Sequence, residues 1–285
     1  MTFVKVTNCK AFRKIFGNES KKIILISFLN AILKLEGEDR IAEVEILNPY
    51  QLPIIRNLKA TIIDVRARDK AGRSFIIEMQ VADLDGMDKR LLYYSSKEYA
   101  AQIAVGDQYH KLRPVIFIGI FDFPFTQGDH YFSHHSICNV ETGERIIKDM
   151  DFFFIELPKF NKSSAELATI ADKWIFFIKE AENLNVIPEN SNAEGLVQAY
   201  QDANRQSWNK EEWDEYIYAG MREQDARGRE SLAVSRAVKN AVESALLAEK
   251  ESVAKRLLAI GLPHNQVADV SGLSVQEVEK LAGSI

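Results

Sequence analysis

The stretch from Ile63 to Gln80, IDVRARDKAGRSFIIEMQ, constrains this chain more than any other. Two strand-like runs flank Lys70-Ala71-Gly72. A three-residue hairpin loop needs a left-handed residue at its end, and Gly72 supplies it. Asp69 then faces Arg73. Carried along the hairpin, that register sets Asp64 across from Glu78 and Ile62 across from Gln80. Side-chain parity predicts one face with Ile63, Val65, Ala67, Ile77, Met79 and Val81. Asp64 and Arg66 fall on the other, with Glu78 and Gln80.

Like charges directly opposed on a sheet repel. Two carboxylates about 5 Å apart are relieved by a divalent cation between them, or by a raised pKa on one. Oxygen donors select Mg²⁺ or Mn²⁺ over zinc. The plainer alternative is that Asp64 merely ends a strand and Glu78 is a solvated residue paired to Arg66 or Arg73.

Around the hairpin the pattern is mixed. Residues 18–35 have helical spacing (Ile24, Phe28, Leu29, Ile32, Leu33), with Asn18 or Ser20 as cap and Gly37 as stop. Residues 41–48 alternate like a strand, 60–68 and 73–81 are the hairpin arms, and 130–138 and 152–157 are further strand-like pieces. The apolar run 114–121 suits a strand buried on both faces. Helices are expected at 88–105 and 164–183, then short helices and loops over 184–230. A long helix with Ala-Val pairs every four residues is expected over about 226–259, and a small helical tail over 264–283. The order gives an α/β fold with a helical C-terminal extension. Three segments follow: 1–183, 184–259 and 260–285.

Composition removes several classes. Hydrophobic residues are 46% and charged residues 27% of 285, which argues against disorder. The stretch Ile23 to Leu35 is broken by Ser27 and Asn30 and is too short for a membrane span. The N-terminal residues lack the pattern of a secretory signal. Cys9 and Cys138, with no CxxC, fit a reducing cytoplasm.

Asp, a hairpin, then Glu-x-Gln is a variant of the Asp…(Asp/Glu)-x-Lys signature of the PD-(D/E)XK nucleases. The blocks FRKIFG, ISFLNAIL, ILNP, IIDVRARDKAGRSFIIEMQV, KRLLYYSSKEYAAQIAVGDQYHKLRPVIFIGIFDF and FFIELPKF extend the match over residues 7–180. Together they resemble the bacterial recombination-promoting nuclease/transposase family of that superfamily. The resemblance implies a restriction-endonuclease-like core, a mixed central sheet flanked by helices, and Mg²⁺- or Mn²⁺-dependent DNA endonuclease activity. It implies Asp64 and Glu78 as metal ligands, with the Met79 carbonyl as a further donor. Gln80 stands where the superfamily has Lys, so it can orient water or bind phosphate but not help deprotonate water. Arg90, Tyr94 and Gln102 match the helix after the hairpin and are the substrate-binding candidates. Of the tyrosines there, Tyr93 is expected to be the one packed in the core.

One departure stands out. Relatives typically carry Asp just before the FKKIFG-like run, and this chain has Cys9. Glu43 or Glu45 would be nearby substitutes. This loss and Gln80 motivate the alternative of a catalytically degenerate fold serving as a DNA-binding or protein-interaction module.

His130, His134, His135 and Cys138 fit no common zinc spacing and are expected to be solvated strand residues. The tail 266–278 resembles a helix-turn-helix, with Ala268 at the helix contact, Gly272 at the turn and Val278 beneath, yet Glu277 and Glu279 oppose phosphate. A packing module, with a homodimer through the helical C-terminal region, is the competing expectation. Net charge is −5, but residues 56–113 carry +3 and residues 141–225 carry −9. A modestly basic face on an acidic body is compatible with DNA.

Overall fold

The computed structural model describes residues 1–51, 61–83 and 85–283; position 60 of the first hairpin arm lies outside them. Asn8 opens helix α1 (Cys9–Phe16) by accepting from the backbone N–H of Lys10 and Ala11. This short helix has no counterpart in the expected elements. Helix α2 (Lys22–Ile32) follows a 3₁₀ turn capped by Asn18. Then come β1 (Val44–Leu47), β2 (Tyr50–Gln51), β3 (Thr61–Ile62), β4 (Val65–Asp69) and β5 (Ser74–Gln80). Helix α3 (Met87–Ala100) leads to β6 (Val115–Phe121), β7 (Phe132–Ser136) and β8 (Met150–Glu156). Helices α4 (Ile170–Glu180), α5 (Glu194–Ala203), α6 (Lys210–Ala259), α7 (His264–Ser271) and α8 (Val275–Ala282) complete the chain.

Among the described residues, six strands form one sheet in the order β1-β4-β5-β6-β8-β7. The pairs β5/β6 and β6/β8 are parallel, and β1/β4, β4/β5 and β7/β8 are antiparallel. This is the mixed central sheet flanked by helices that the sequence resemblance implied. The hairpin register is as expected: Val65 opposes Ile77, and Arg68 opposes Ser74. Gly72 has φ +84°, the left-handed conformation the loop requires.

Parity fails at one place. Val65, Ala67, Ile77 and Met79 share the main core, but Ile63 packs with Ile76, Met87 and Leu91 beneath α3. The arm is interrupted between β3 and β4, so Ile63 does not inherit the alternation of β4. One side of the sheet is filled by an aromatic cluster from three helices: Phe12, Phe16, Phe28, Trp174 and Phe177, all buried. The other side is covered by α3.

The compact unit containing the sheet runs from Met1 to Asp225, not to 183. Helix α5 buries Leu196, Ala199 and Tyr200 in the main core, so residues beyond 183 belong to it. Helix α6 begins at Lys210 rather than near 226. Asn209 and Glu212 cap each other's backbone N–H at 2.9 and 3.0 Å, a reciprocal N-terminal box. Residues 226–285 form a second unit with its own small core: Ala254, Val267, Ala268, Leu273 and Val278. Gly272 ends α7, and Glu277 caps the start of α8 through Ser274, so its carboxylate has a structural task. Among the described residues no helix is long and apolar enough to cross a membrane.

Gly119 on β6 is the partner of Glu78. A Cβ there would sit 2.6 Å from the Phe121 ring and 3.3 Å from that of Phe117, both buried. Gly119→Ala should therefore cost about 1–3 kcal/mol by overpacking. Urea unfolding checks it; a midpoint unchanged from wild type would refute the close packing.

Candidate active site

The hairpin brings its two acids together at the point where β4 begins. Asp64 is 8% exposed and Glu78 3%. Each is held by the other's strand: the Asp64 N–H donates to Glu78 Oε1 at 3.2 Å, and the Met79 N–H donates to Asp64 Oδ2 at 2.9 Å. Gln80, two residues on and thus on the same face, donates through Nε2 to Glu78 Oε2 at 2.6 Å. The expected trio Asp64, Glu78 and Gln80 is one hydrogen-bonded group. A solvated Glu78 is ruled out. Its supposed partners are engaged elsewhere, Arg66 with Glu98 at 2.7 Å and Arg73 with Asp69 at 2.6 Å.

Two arginines face the pair from opposite helices. Arg90 on α3 places Nη2 3.6 Å from Glu78 Oε2 and donates through Nε to the Tyr94 hydroxyl at 2.8 Å. Tyr94 is buried in the α3 cluster and Tyr93 only partly so, the reverse of the expectation. The ring of Tyr94 packs while its hydroxyl steadies Arg90. Gln102 is not in the group: beyond the end of α3, its side chain bonds both backbone groups of Arg113 at 2.8 and 2.9 Å.

Arg13 was not among the sequence candidates, although it lies in the FRKIFG block. From α1 it donates through Nε and Nη2 to Asp64 Oδ1 at 2.9 and 2.8 Å. Cys9 is one helical turn before it, on the same face. The Cys9 N–H donates to Glu223 Oε1 on α6 at 2.8 Å. The carboxylate beside position 9 is thus Glu223. Glu43 pairs with exposed Lys70 at the hairpin tip, and Glu45 is across from Arg68, so neither substitutes there. The spacing of Cys9 and Arg13 was the available signal for Arg13; nothing local marked Glu223.

Burial drives the electrostatics. It pushes the Glu78 carboxyl up to about 8, with the Asp64 charge adding to it and Arg90 opposing. Burial also raises Asp64, against Arg13 and the Met79 N–H. Burial, then Glu223, raises the Cys9 thiol. On the edge strand β7, His134 bonds Asp151 at 2.7 Å and His135 bonds Ser133 at 2.9 Å. Among the described residues no three His, Cys, Asp or Glu side chains converge as a metal cluster. The acidic pair supplies hard oxygen donors only. Mg²⁺ commonly takes one or two carboxylates and completes its shell with water and substrate phosphate, so this donor set fits it.

A family model described as PD-(D/E)XK nuclease family transposase matches residues 9–229. No curated protein and no solved structure matches the chain.

The Glu78 shift has a defined sign. Between its ordinary value of 4.5 and about 8, the folded chain holds a proton that the unfolded chain releases. Stability without metal should fall as pH rises through that window. Thermal unfolding should show a midpoint that declines from pH 5 to 8, and Glu78→Gln should flatten the decline. A slope the same in both proteins would refute the assignment to Glu78.

Proposed function

Because the chain belongs to the PD-(D/E)XK nuclease family transposases, we propose that it is a divalent-metal-dependent DNA endonuclease acting in recombination or mobile-element movement. The observation that carries this is the pair Asp64 and Glu78, buried, opposed and tied to each other's backbone. Such a pair is costly for a fold without a task that uses it. Asp64, Glu78 and the Met79 carbonyl would hold Mg²⁺ or Mn²⁺. When bound, the ion supplies Lewis acidity and an activated water at neutral pH.

The protein's own groups have separate duties. Gln80 orients the attacking water and takes no proton. Arg90, fixed by Tyr94, meets the phosphate next to Glu78. Arg13 steadies Asp64 from the other side. A cleft of about 600 Å³ opens beside Arg13 and carries Lys10, Lys14 and Lys21. These lysines are paired with Glu215, Glu212 and Asp202. DNA phosphates would compete with those carboxylates, so binding should be weak and salt-sensitive. The free thiols Cys9 and Cys138 suit a cytoplasmic setting, and a second copy of the chain is the proposed protein partner.

The second reading is a degenerate, non-cleaving module. Cys9 favours it, since the resembling family typically has Asp there and a thiol is a poor Mg²⁺ donor. Plasmid nicking with Mg²⁺ or Mn²⁺ separates the two. Wild type should nick, and Asp64→Ala or Glu78→Ala should lower the rate by about 100-fold or more. Equal cleavage by wild type and the double variant would sink the site. No cleavage together with no ion uptake in calorimetry would favour the degenerate reading. Ion affinity should also rise from pH 6 to 8 as Glu78 loses its proton, with proton release seen by titration in buffers of different ionisation heat.

A further inference from the structure

In the second unit, every residue of α6 from 231 to 249 is exposed. Val234, Val238 and Val242 are 57%, 56% and 61% exposed. Exposed β-branched residues weaken a helix that nothing packs against. Their placement has a pattern. Positions 227, 231, 234, 238, 242, 245 and 249 are spaced 4-3-4-4-3-4. At 100° per residue they fall within an arc of about 80°, along about 33 Å of helix. The occupants in order are Arg, Ser, Val, Val, Val, Ala and Glu. The spacing reads the same in both directions about Val238.

We propose that this face is the interface for a second copy of the chain, packed antiparallel with its two-fold axis at Val238. Val238 then meets the partner's Val238. Val234 meets the partner's Val242, Ser231 meets the partner's Ala245, and Arg227 meets the partner's Glu249. The ends set the direction. A parallel pair in register would bring arginine onto arginine and glutamate onto glutamate at the two ends of the seam. The antiparallel pair makes both ends opposite in charge. The recurrence of the face after 11 residues (227 to 238 to 249) matches a nearly straight helix, so the two helices follow each other with little supercoiling. Exposed Ala241 and Ala245 allow close approach. The proposal gives the self-association in the proposed function a definite surface, and its test does not depend on nuclease activity.

Light scattering on the full chain at micromolar concentration should give twice 32.4 kDa. Val238→Glu should shift the mass to the single-chain value with helix content by circular dichroism unchanged. Arg227→Glu alone should weaken association, and adding Glu249→Arg should restore it. In a background of Cys9→Ala and Cys138→Ala, Val238→Cys should form a disulfide-linked dimer. Val234→Cys alone should not, but mixed with Val242→Cys it should. A monomeric wild type, a dimer indifferent to Val238→Glu, or self-linking of Val234→Cys would each overturn the proposal.

Discussion

The opposition of Asp64 and Glu78 across one hairpin governs the rest of the first unit. A buried carboxylate without donors is expensive, and two side by side are worse. The fold answers with donors from every direction. The backbone of each strand gives one N–H to the acid of the other, Gln80 gives an amide, and the helices on the two sides of the sheet each give an arginine. None of these removes the strain entirely, since Glu78 still holds its proton up to about 8. An unrelieved acidic pair is what a divalent ion would relieve.

The sheet topology makes that arrangement possible. The antiparallel arm β4 stops pairing with β5 at Val65, so the backbone around Asp64 is free to turn its N–H toward Glu78. On the other side β5 runs parallel to β6, and Gly119 leaves the space beside Glu78 to the Phe121 ring. Helix α3 crosses this face with Arg90, Tyr94 and Glu98 one turn apart, so one helix steadies Glu78 and also neutralises Arg66. Gln80 extends the same pattern from its own strand, donating to Glu78 Oε2. Its amide is spent on Glu78, where a lysine would bring charge.

The hairpin was legible because loop chemistry and parity agree over many residues. The glycine sets the register, and the register alone carries Asp64 to Glu78. The β3/β4 break was not legible, because it depends on Asp64 reaching to the backbone of β5, and Ile63 therefore packs on the face opposite to the one its parity predicts. Arg13 and Glu223 escaped for a related reason. Their partners lie 51 and 214 positions away, and no local periodicity encodes such contacts. The early start of α6 was written in Asn209 and Glu212, but the surrounding aromatics obscured it. Tyr93 and Tyr94 are neighbours on a helix, and which one packs depends on the sheet beneath them.

Charge gives the same lesson at larger scale. The core segment 56–113 carries +3, yet much of its basic charge is bound to carboxylates: Arg66 to Glu98, Arg73 to Asp69, Lys70 to Glu43. The cleft lysines on α1 and nearby are paired in the same way. A nucleic acid meeting this surface therefore meets ion pairs rather than bare cations. Each phosphate contact would exchange one anion for another, at a gain far smaller than a free lysine offers in low salt. What distinguishes a phosphate from a displaced side chain is then geometry beside the acidic pair, where Arg90 is already held in place by Tyr94. For the proposed substrate, affinity spread over the surface would be small. Selectivity for the scissile position would come from that one organised corner of the sheet.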